Sequence, residues 1–396
     1  MPPSPAADQH PARLILILAL APAIGVGLCR FAYSLVLPDM RDSLGWSYSL
    51  AGFMNTANAA GYLSGALVSS WVIRRTGLFR TVWVGTLVCI VSLALSAVSA
   101  NEVVLSLVRF ASGVAGAVSF VAASALATNI AQAHPARLGF LTGLLYTGPG
   151  TGIFISGLTA PFLLQALGPG SWWVVWAVLA AIAAVLGLAL PLARSAPERT
   201  PEQLASDTAP ISPMLVYLVG YFLYGAGSIA YMTFMIAFVR DAGGGAFLQS
   251  AFWTTIAIGS FISPSLWAGI INRNRGGGAT AIVTAVTALG ALIPYFAQSP
   301  LALALSALVF GSGFFAVTSS TTAFVRYNFP SQVWPKAIAM LTMSFGVGQT
   351  LGPIVTGAVT DMTGDLRLVL ALSAAMLALG AAVAACQRPL ALALKQ

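Results

Sequence analysis

Long apolar runs separated by short polar breaks dominate the pattern of hydrophobic and polar positions along this chain. A helix needs about 20 apolar residues to cross the roughly 30 Å hydrocarbon layer of a bilayer, and each run approaches or exceeds that length. The pattern therefore predicts an all-α membrane protein with twelve transmembrane helices. Their predicted spans are 13–38, 46–72, 80–99, 102–130, 138–166, 171–193, 213–239, 247–271, 279–297, 300–325, 337–360 and 367–387.

Polar segments divide these helices into two groups of six. The longest break, residues 194–212, is predicted to be a cytoplasmic linker between an N-terminal bundle at 13–193 and a C-terminal bundle at 213–387. The Pro- and Ala-rich residues 1–12 are predicted to be a disordered tail, and residues 388–396 form a C-terminal tail.

The first apolar run has a second interpretation. Arg13 followed by apolar residues up to Ala23 resembles a secretory signal peptide with an A-x-A end. The run continues to Pro38 with only Arg30 interrupting it, which is long enough to span a bilayer. We therefore favour an uncleaved first transmembrane helix.

Composition supports a membrane protein. The chain is 58% hydrophobic and 7% charged, with a mean hydropathy of +0.89, whereas about a quarter of the residues of a soluble protein are charged. The net charge of +8 falls on short loops, so we attribute it to topology and to attraction for membrane lipids rather than to nucleic acid.

The basic residues of the loops predict the orientation. If both termini lie on one face, that face carries Arg13, Arg74, Arg75, Arg80, Arg137, Arg194, Arg199, Arg273, Arg275, Arg326, Lys336, Arg388 and Lys395. The opposite face carries Arg41, Arg240 and Arg367. The positive-inside rule then places both termini in the cytoplasm, and we expect a multi-pass protein of a bacterial-type inner membrane.

Residues 200 positions apart indicate an internal repeat. The matching pairs include Gly25 and Gly225, Gly27 and Gly227, Arg75 and Arg275, Gly77 and Gly277, Phe110 and Phe310, Gly148 and Gly348, and Gly152 and Gly352. Two similar six-helix halves are typical of secondary transporters, whose substrate site lies between the halves near mid-membrane.

Two arginines inside the apolar runs, Arg30 and Arg109, lie outside this repeat, because Ala230 and Val309 occupy the equivalent positions. Counting 1.5 Å per residue puts Arg30 about 12 Å from the predicted helix end at Pro38 and Arg109 a similar distance inside the fourth helix. Each arginine costs about 2.5–3.5 kcal/mol at mid-membrane. All ten acidic residues fall in tails, loops or helix ends, which leaves an incoming anion as a natural counter-ion.

Three short motifs resemble a known family. Residues 27–33, Gly-x-x-Arg-Phe-Ala-Tyr, followed by Leu37-Pro38, resemble the bacterial YbfB/YjiJ-type branch of the major facilitator superfamily (MFS), and the whole chain resembles that superfamily. The loop at 74–80 resembles its cytoplasmic motif, with Arg74 where the family usually has Asp. Residues 109–113, Arg-Phe-Ala-Ser-Gly, resemble its fourth-helix motif.

The resemblance implies two pseudo-symmetric six-helix bundles that work by alternating access. It also implies that helices 1 and 4 both face a central cavity, where Arg30 and Arg109 would converge on one anion. The alternatives are snorkelling of Arg30 to the headgroups and structural hydrogen bonds from Arg109 to helix carbonyls. A gating role is implied for the cytoplasmic loops, at Arg74, Arg75, Gly77, Arg275 and Gly277.

Polar residues at helical spacing predict which other side chains line the central cavity. Tyr33 and Ser34 share the face of Arg30 by i+3 and i+4 spacing. Asn55, Asn58 and Tyr62 form one stripe on helix 2. Further candidates are Tyr146, Tyr224, Tyr231, Ser320 and Gln349. For each of these residues alone, interhelical hydrogen bonding is the simpler interpretation. Candidates for proton coupling near the outer mouth are Asp39 and Asp241.

These patterns together predict a secondary active transporter of a small organic anion that resembles a monocarboxylate. We expect a monomer without a cofactor, a bound metal or catalytic residues, with protons as a candidate co-substrate. The three cysteines, Cys29, Cys89 and Cys386, lack metal-ligand spacing. Two alternatives remain: an efflux carrier of neutral or cationic compounds, and a membrane-embedded acyl-transfer enzyme.

Overall fold

The chain folds as a helical bundle, which a computed structural model describes for residues 11–134, 137–198, 212–330 and 333–390. The described residues form twelve long helices and no strand. Their bounds are α1 Pro11–Leu44, α2 Tyr48–Thr76, α3 Leu78–Val98, α4 Glu102–Gln132, α5 Leu138–Leu145 with Thr147–Leu167, α6 Trp172–Gly187, α7 Leu215–Asp241, α8 Ala246–Arg273, α9 Gly278–Phe296, α10 Pro300–Asn328, α11 Trp334–Thr363 and α12 Leu366–Ala385. Short 3₁₀ turns at Leu190–Ala193 and Ser212–Met214 follow α6 and precede α7.

The predicted twelve-helix membrane fold is confirmed. Of the described helices, 11 are long and apolar enough to cross a bilayer, and α2 is the exception. Asn55, Thr56 and Asn58 lower its hydropathy, and all three are buried. This helix packs against α4 of its own half and α11 of the other half, so its polar residues point into protein rather than into lipid.

The ends of the helices differ from the predicted spans in small ways. The predicted tail is too long, because Pro11 and Ala12 already belong to α1; residues 1–10 lie outside the described part of the chain. Residues 199–211 of the predicted linker and residues 391–396 of the C-terminal tail also lie outside the described part of the chain.

The first helix does not end at Pro38 as predicted. It continues for another turn and a half to Leu44, where Gly45 adopts a φ of +69° and donates its N–H to the carbonyl of Arg41. A glycine in this left-handed conformation is a common helix terminator. The charged residues near Leu44 break the apolar pattern but do not break the helix.

The middle of α1 is wound as a π-helix from Ala23 to Phe31. Gly25 and Gly27 lie in this segment, and a Cβ atom added to them would come within 2.9 Å of Gly116 and 2.4 Å of Gly152. The missing side chains let the backbone of α1 rest directly on α4 and α5. Single π-turns inside helices are rare and are frequent at functional sites.

Two glycine pairs of the predicted repeat, Gly148 with Gly348 and Gly152 with Gly352, make equivalent contacts in the two halves. A Cβ atom on Gly148 of α5 would lie 2.3 Å from the Ala19 carbonyl oxygen, and one on Gly348 of α11 would lie 2.0 Å from that of Phe222. Gly152 and Gly352 repeat these contacts one turn later, at 2.2 Å in both halves. The α5–α1 pair and the α11–α7 pair therefore share one packing arrangement.

The two halves are tied together at the membrane face opposite the chain termini, which we call the distal face. Asp42 of α1 forms an ion pair of 2.7 Å with Arg240 of α7. Asp361 of α11 accepts hydrogen bonds from the backbone N–H groups of Tyr48 (2.7 Å) and Ser49 (2.8 Å) at the start of α2. These contacts hold the distal ends of the halves closed against each other.

Candidate functional site

Arg30 lies between the two halves, in the π-helical part of α1. Only 5% of the residue is exposed, and its guanidinium lies 5.6 Å from the ring centroid of Phe31 and 5.2 Å from that of Tyr62. Its Nη2 donates a hydrogen bond to Oε1 of Gln349, on α11 of the opposite half. Its Nε is buried without a hydrogen-bond partner. Arg30 is thus a buried cation whose hydrogen-bonding capacity is incompletely used.

The direction of the Arg30 side chain bears on the snorkelling interpretation. Its guanidinium contacts Gln349 of the opposite half, and only 5% of the residue is exposed. A snorkelling arginine would extend along its own helix towards the headgroups, so the snorkelling interpretation loses its support.

The buried arginines have no acidic partner among the described residues. Within the described stretches, the ion pairs join Arg41 and Arg240 to Asp42 and Arg240 to Asp241, all at the distal face. The mid-membrane region therefore holds two positive charges, and no described carboxylate compensates for them.

Arg109 has a different environment from Arg30. Its Nη1 donates to the carbonyl of Cys29 (2.5 Å), its Nε to that of Met54 (3.3 Å) and its Nη2 to Oδ1 of Asn55 (3.4 Å). The contact with Cys29 places its guanidinium at the level of Arg30, as the predicted depths require. These bonds join α4 to α1 and α2, which favours the structural interpretation of Arg109 over direct contact with a substrate.

Tyr33 belongs to the surroundings of Arg109. Its hydroxyl donates to the carbonyl of Ala51 at 2.8 Å, and its ring centroid lies 4.4 Å from the Arg109 guanidinium. The i+3 spacing predicted a face shared with Arg30. That spacing assumes α-helical winding, whereas the helix is π-helical up to Phe31.

The two asparagines predicted on α2 have separate partners. Asn55 donates to the hydroxyl of Thr233 on α7 at 2.5 Å and so bridges the halves. Asn58 donates to the carbonyl of Arg109 (3.0 Å) and to the hydroxyl of Ser112 (2.9 Å), both on α4. The Oδ1 atom of Asn58 is buried without a partner.

Two predicted lining residues of the C-terminal half are bonded within that half. The hydroxyl of Tyr231 lies 2.7 Å from that of Ser306, and the hydroxyl of Ser320 lies 2.7 Å from that of Thr280. Both side chains are buried, and these contacts do not bring them to Arg30.

An aromatic surface connects the surroundings of Arg30 to the C-terminal half. Phe31 makes an edge contact with Phe314 (5.9 Å between centroids), and Phe314 lies 6.3 Å from Tyr224. Tyr221 stacks on Tyr224 (5.7 Å) and on Phe345 (5.2 Å). Of these five residues only Tyr224 was predicted, because an apolar run does not distinguish a buried phenylalanine from a lipid-facing one.

Tyr224 donates its hydroxyl to the carbonyl of Phe314, so its ring, rather than its hydroxyl, faces this surface. Tyr146, at the junction of the two segments of α5, is 58% exposed and makes an edge contact with Phe120. No contact joins the described Tyr146 ring to the aromatic surface.

The two candidates for proton coupling have different partners. Asp39 accepts hydrogen bonds from the N–H groups of Gly170 and Trp172 (both 2.9 Å) and so caps α6 within its own half. Asp241 accepts a bond of 3.3 Å from the hydroxyl of Tyr48. The hydropathy pattern did not select Asp361, although this carboxylate accepts three hydrogen bonds from Tyr48 and Ser49 of the other half.

The first predicted gating loop holds the start of the linker. Gly77 has a φ of +82°, which favours glycine, and Oε1 of Glu198 accepts the backbone N–H of Phe79 at 3.1 Å. Arg74 is exposed, and the Arg75 guanidinium lies 4.4 Å from the ring centroid of Trp71. An acidic residue from the linker therefore caps α3 beside this basic loop.

The repeated loop packs on α12 instead. The N–H of Gly277 donates to the carbonyl of Gln387 at 2.9 Å, and a Cβ atom on Gly277 would lie 1.8 Å from the carbonyl oxygen of Ala384. The backbone carbonyl of Arg275 accepts a bond of 2.6 Å from Asn328. A gating role for either loop stays a prediction.

Within the described residues, no group of three or more histidine, cysteine, aspartate and glutamate side chains could hold a metal ion. Cys29 and Cys89 are buried, Cys386 is exposed, and none of the three forms a disulfide bond.

Solved transporter structures share this fold. The nucleoside transporter NupG (D323A mutant) is 16% identical, with a TM-score of 0.71 over 95% of this chain and 99% of that chain. A bacterial homolog of the human lysosomal transporter Spinster, inward-facing and unoccupied, is 14% identical with a TM-score of 0.74 over 95% and 96%. A D-xylose-proton symporter is 15% identical with a TM-score of 0.74 over 94% and 97%.

No curated protein sequence matches the chain significantly. The profile of the family described as "Uncharacterised MFS-type transporter YbfB" matches residues 22–385, which include both halves and every site residue named above. Together with the twelve helices and the glycine-packed repeat, this match shows that the chain belongs to the YbfB-type family of major facilitator superfamily transporters, which work by alternating access.

Proposed function

We propose that this transporter carries a small organic anion, in the manner of a monocarboxylate, and that Arg30 binds the anionic group of the substrate. The observation that carries the proposal is the burial of Arg30 together with its incomplete set of hydrogen-bond partners. It is a buried cation between the two halves with an unpartnered Nε and no described carboxylate beside it. An uncompensated arginine at this depth costs about 2.5–3.5 kcal/mol, and a substrate anion would recover that cost on binding.

The surroundings favour a substrate with one anionic group and an apolar body. The rings of Phe31 and Tyr62 flank the guanidinium, and the aromatic surface continues from Phe31 into the C-terminal half. Aromatic rings bury apolar area well but satisfy few hydrogen bonds. A heavily hydroxylated substrate would find few partners on this surface.

The neighbouring polar residues position the site in this proposal. Arg109 holds α1 and α2 at a fixed distance through carbonyl bonds, and Tyr33 and Asn55 support it. Transport would be driven in one of three ways. A proton could travel on the substrate's own acid group, one substrate molecule could exchange for another, or the substrate's own gradient could act alone.

The loop charges support a bacterial-type inner membrane with both termini in the cytoplasm. The distal face is then the outer face, and the ties at Asp42 and Asp361 close the carrier to the outside.

A ligand screen with matched pairs tests the proposal. The purified protein is heated with acetate, lactate or benzoate and, separately, with acetamide, lactamide or benzamide, which have nearly the same shape but no charge. We expect at least one acid, but not its amide, to raise the unfolding temperature of the wild type and to leave that of Arg30→Ala unchanged.

Arg80→Ala removes an exposed arginine in the first turn of α3 and is the control for net charge; it should respond as the wild type does. Stabilisation by organic cations or neutral compounds alone would favour the efflux alternative. Equal stabilisation of wild type and Arg30→Ala by the acids would overturn the assignment of Arg30. Saturable uptake of the stabilising acid into sealed proteoliposomes completes the test of transport.

A further inference from the structure

Two neighbouring nitrogens of the Arg30 guanidinium, Nε and Nη2, have only one partner between them. In any arginine, the Nε–H and one Nη2–H point in nearly the same direction and form the edge that binds a carboxylate through two parallel hydrogen bonds. On Arg30 the Nε has no partner, and the Nη2 donates to Oε1 of Gln349. The two nitrogens therefore share one neutral acceptor, whereas a carboxylate would give each of them a charged oxygen.

A carboxylate is the stronger partner for this edge. The bond to Gln349 has one charged partner, whereas a carboxylate would make both partners charged and can accept from two N–H groups at once. A carboxylate would also satisfy Nε, whose unpaired N–H is costly to keep buried. An arriving anion would therefore displace the amide oxygen of Gln349 from Arg30.

The backbone of Gln349 is fixed within the C-terminal half. Gly348 and Gly352, on either side of it, lie so close to α7 that an added Cβ would come within 2.0 Å of the Phe222 carbonyl and 2.2 Å of the Ala226 carbonyl. The side chain of Gln349 crosses from this fixed backbone to α1. Its release would break a tie between α1 and α11 and leave the α11–α7 packing intact.

We propose that Gln349 is a displaceable stand-in for the substrate's carboxylate, and that the binding of the anion to Arg30 releases the link that Gln349 makes between the two halves. This inference rests on the proposed role of Arg30 in anion binding. It makes Gln349 a positioning residue that keeps the empty carrier tied across its halves and lets the loaded carrier separate there.

The test compares substitutions of opposite sign in the full-length protein reconstituted in proteoliposomes. The probe is whichever of acetate, lactate and benzoate stabilises the wild type most. Gln349→Leu removes the competing oxygen at similar volume, and we expect the dissociation constant of the probe to fall about tenfold. Gln349→Glu supplies a permanent internal carboxylate, so the dissociation constant should rise at least tenfold and exchange of the probe should slow.

Gln249→Leu is the matched control. Gln249 is also a buried glutamine, 9% exposed, but it donates to the carbonyl of Gly244 at 2.9 Å within its own half. Its substitution should leave the affinity for the probe unchanged. If Gln349→Leu does not fold, Gln349→Asn, which is one methylene too short to keep its bond, carries the same expectation.

The outcomes separate this inference from the proposed function. If no acid binds the wild type, or if Arg30→Ala binds as well as the wild type, both are overturned. If binding depends on Arg30 but Gln349→Leu binds the probe no tighter and Gln349→Glu binds it no weaker, only the role of Gln349 is overturned. A purely structural role of Gln349 would lower stability in both variants and shift the affinity in the same direction.

Discussion

Arg30 and Arg109 are buried to the same extent, 5% and 4% exposed, yet their surroundings differ. Arg109 donates to two backbone carbonyls and an asparagine oxygen of neighbouring helices in its own half. Arg30 has one neutral partner, which belongs to the other half, and an unused Nε. Burial of a charge in a membrane helix therefore does not by itself mark a binding site. In the proposed function, the donors that remain unused distinguish Arg30, which would bind a ligand, from Arg109, which holds helices together.

Arg30→Ala should have the largest effect on affinity and no adverse effect on stability. Truncating one partner of a buried charge pair costs about 2–5 kcal/mol, so we expect the affinity for the stabilising acid to fall about a thousandfold. The unfolding temperature without ligand should stay equal or rise, because an uncompensated buried charge is removed. Calorimetric titration and thermal unfolding of the same preparation measure both quantities. A lower unfolding temperature would assign Arg30 the same structural role as Arg109.

Arg109→Ala should show the reverse pattern. It leaves the carbonyls of Cys29 and Met54 without their donor, and each buried unsatisfied group costs about 1–3 kcal/mol. We expect a loss of about 3 kcal/mol in stability, measured as a lower midpoint of unfolding in detergent. Arg109→Lys should recover only part of it, because an ammonium cannot reproduce the fork of three bonds. Unchanged stability of Arg109→Ala would remove the contrast between the two arginines.

Tyr33→Phe should have a smaller effect. Like the substitution of Arg109, it should lower stability rather than affinity. The substitution removes the hydroxyl that bonds to Ala51 but keeps the ring beside Arg109. We expect a loss of about 1 kcal/mol in stability with unchanged affinity for the acid. A drop in affinity of tenfold or more, by titration, would move Tyr33 into the ligand site that the sequence pattern predicted.

Asp42→Asn should have the smallest effect. Asp42 forms a partly exposed ion pair with Arg240 at the distal face, and such pairs contribute about 0–1 kcal/mol. We expect a change in unfolding temperature near the error of the measurement at 0.15 M salt. A large destabilisation would show that the closure of the distal face depends on this pair rather than on the contacts of Asp361.

The fold could be predicted well from the sequence, because a helix that crosses lipid must be apolar over a fixed length. Apolar runs of spanning length give the twelve helices. The glycine pairs 148/348 and 152/352 pack α5 on α1 and α11 on α7, as a repeat requires. The pattern failed at the end of α1, since the charged residues before Gly45 stay helical. The second helix was predicted at 46–72 and lies at Tyr48–Thr76, although its hydropathy is low because its polar side chains face protein.

The polar residues of the candidate site could be predicted from the sequence, but their hydrogen-bond partners could not. Arg30, Arg109 and Gln349 stand out as polar residues in apolar helices. Which of them are hydrogen-bonded to backbone carbonyls depends on the π-helical winding of Ala23–Phe31 and on contacts between distant helices. The pattern of hydrophobic and polar residues along the sequence shows neither this winding nor these contacts. The aromatic surface was missed for a related reason, since Phe314 and Phe345 resemble the lipid-facing phenylalanines of the same chain.

The lack of described carboxylates at mid-membrane has an electrical consequence for the proposed cycle. When the anion is on Arg30, the charge of the core is one unit lower than when the site is empty. Moving one elementary charge across a bilayer changes the free energy by about 2.3 kcal/mol per 100 mV. The membrane voltage therefore acts differently on the empty and the loaded carrier. We expect the voltage to have its largest effect on the rate at which the empty carrier returns.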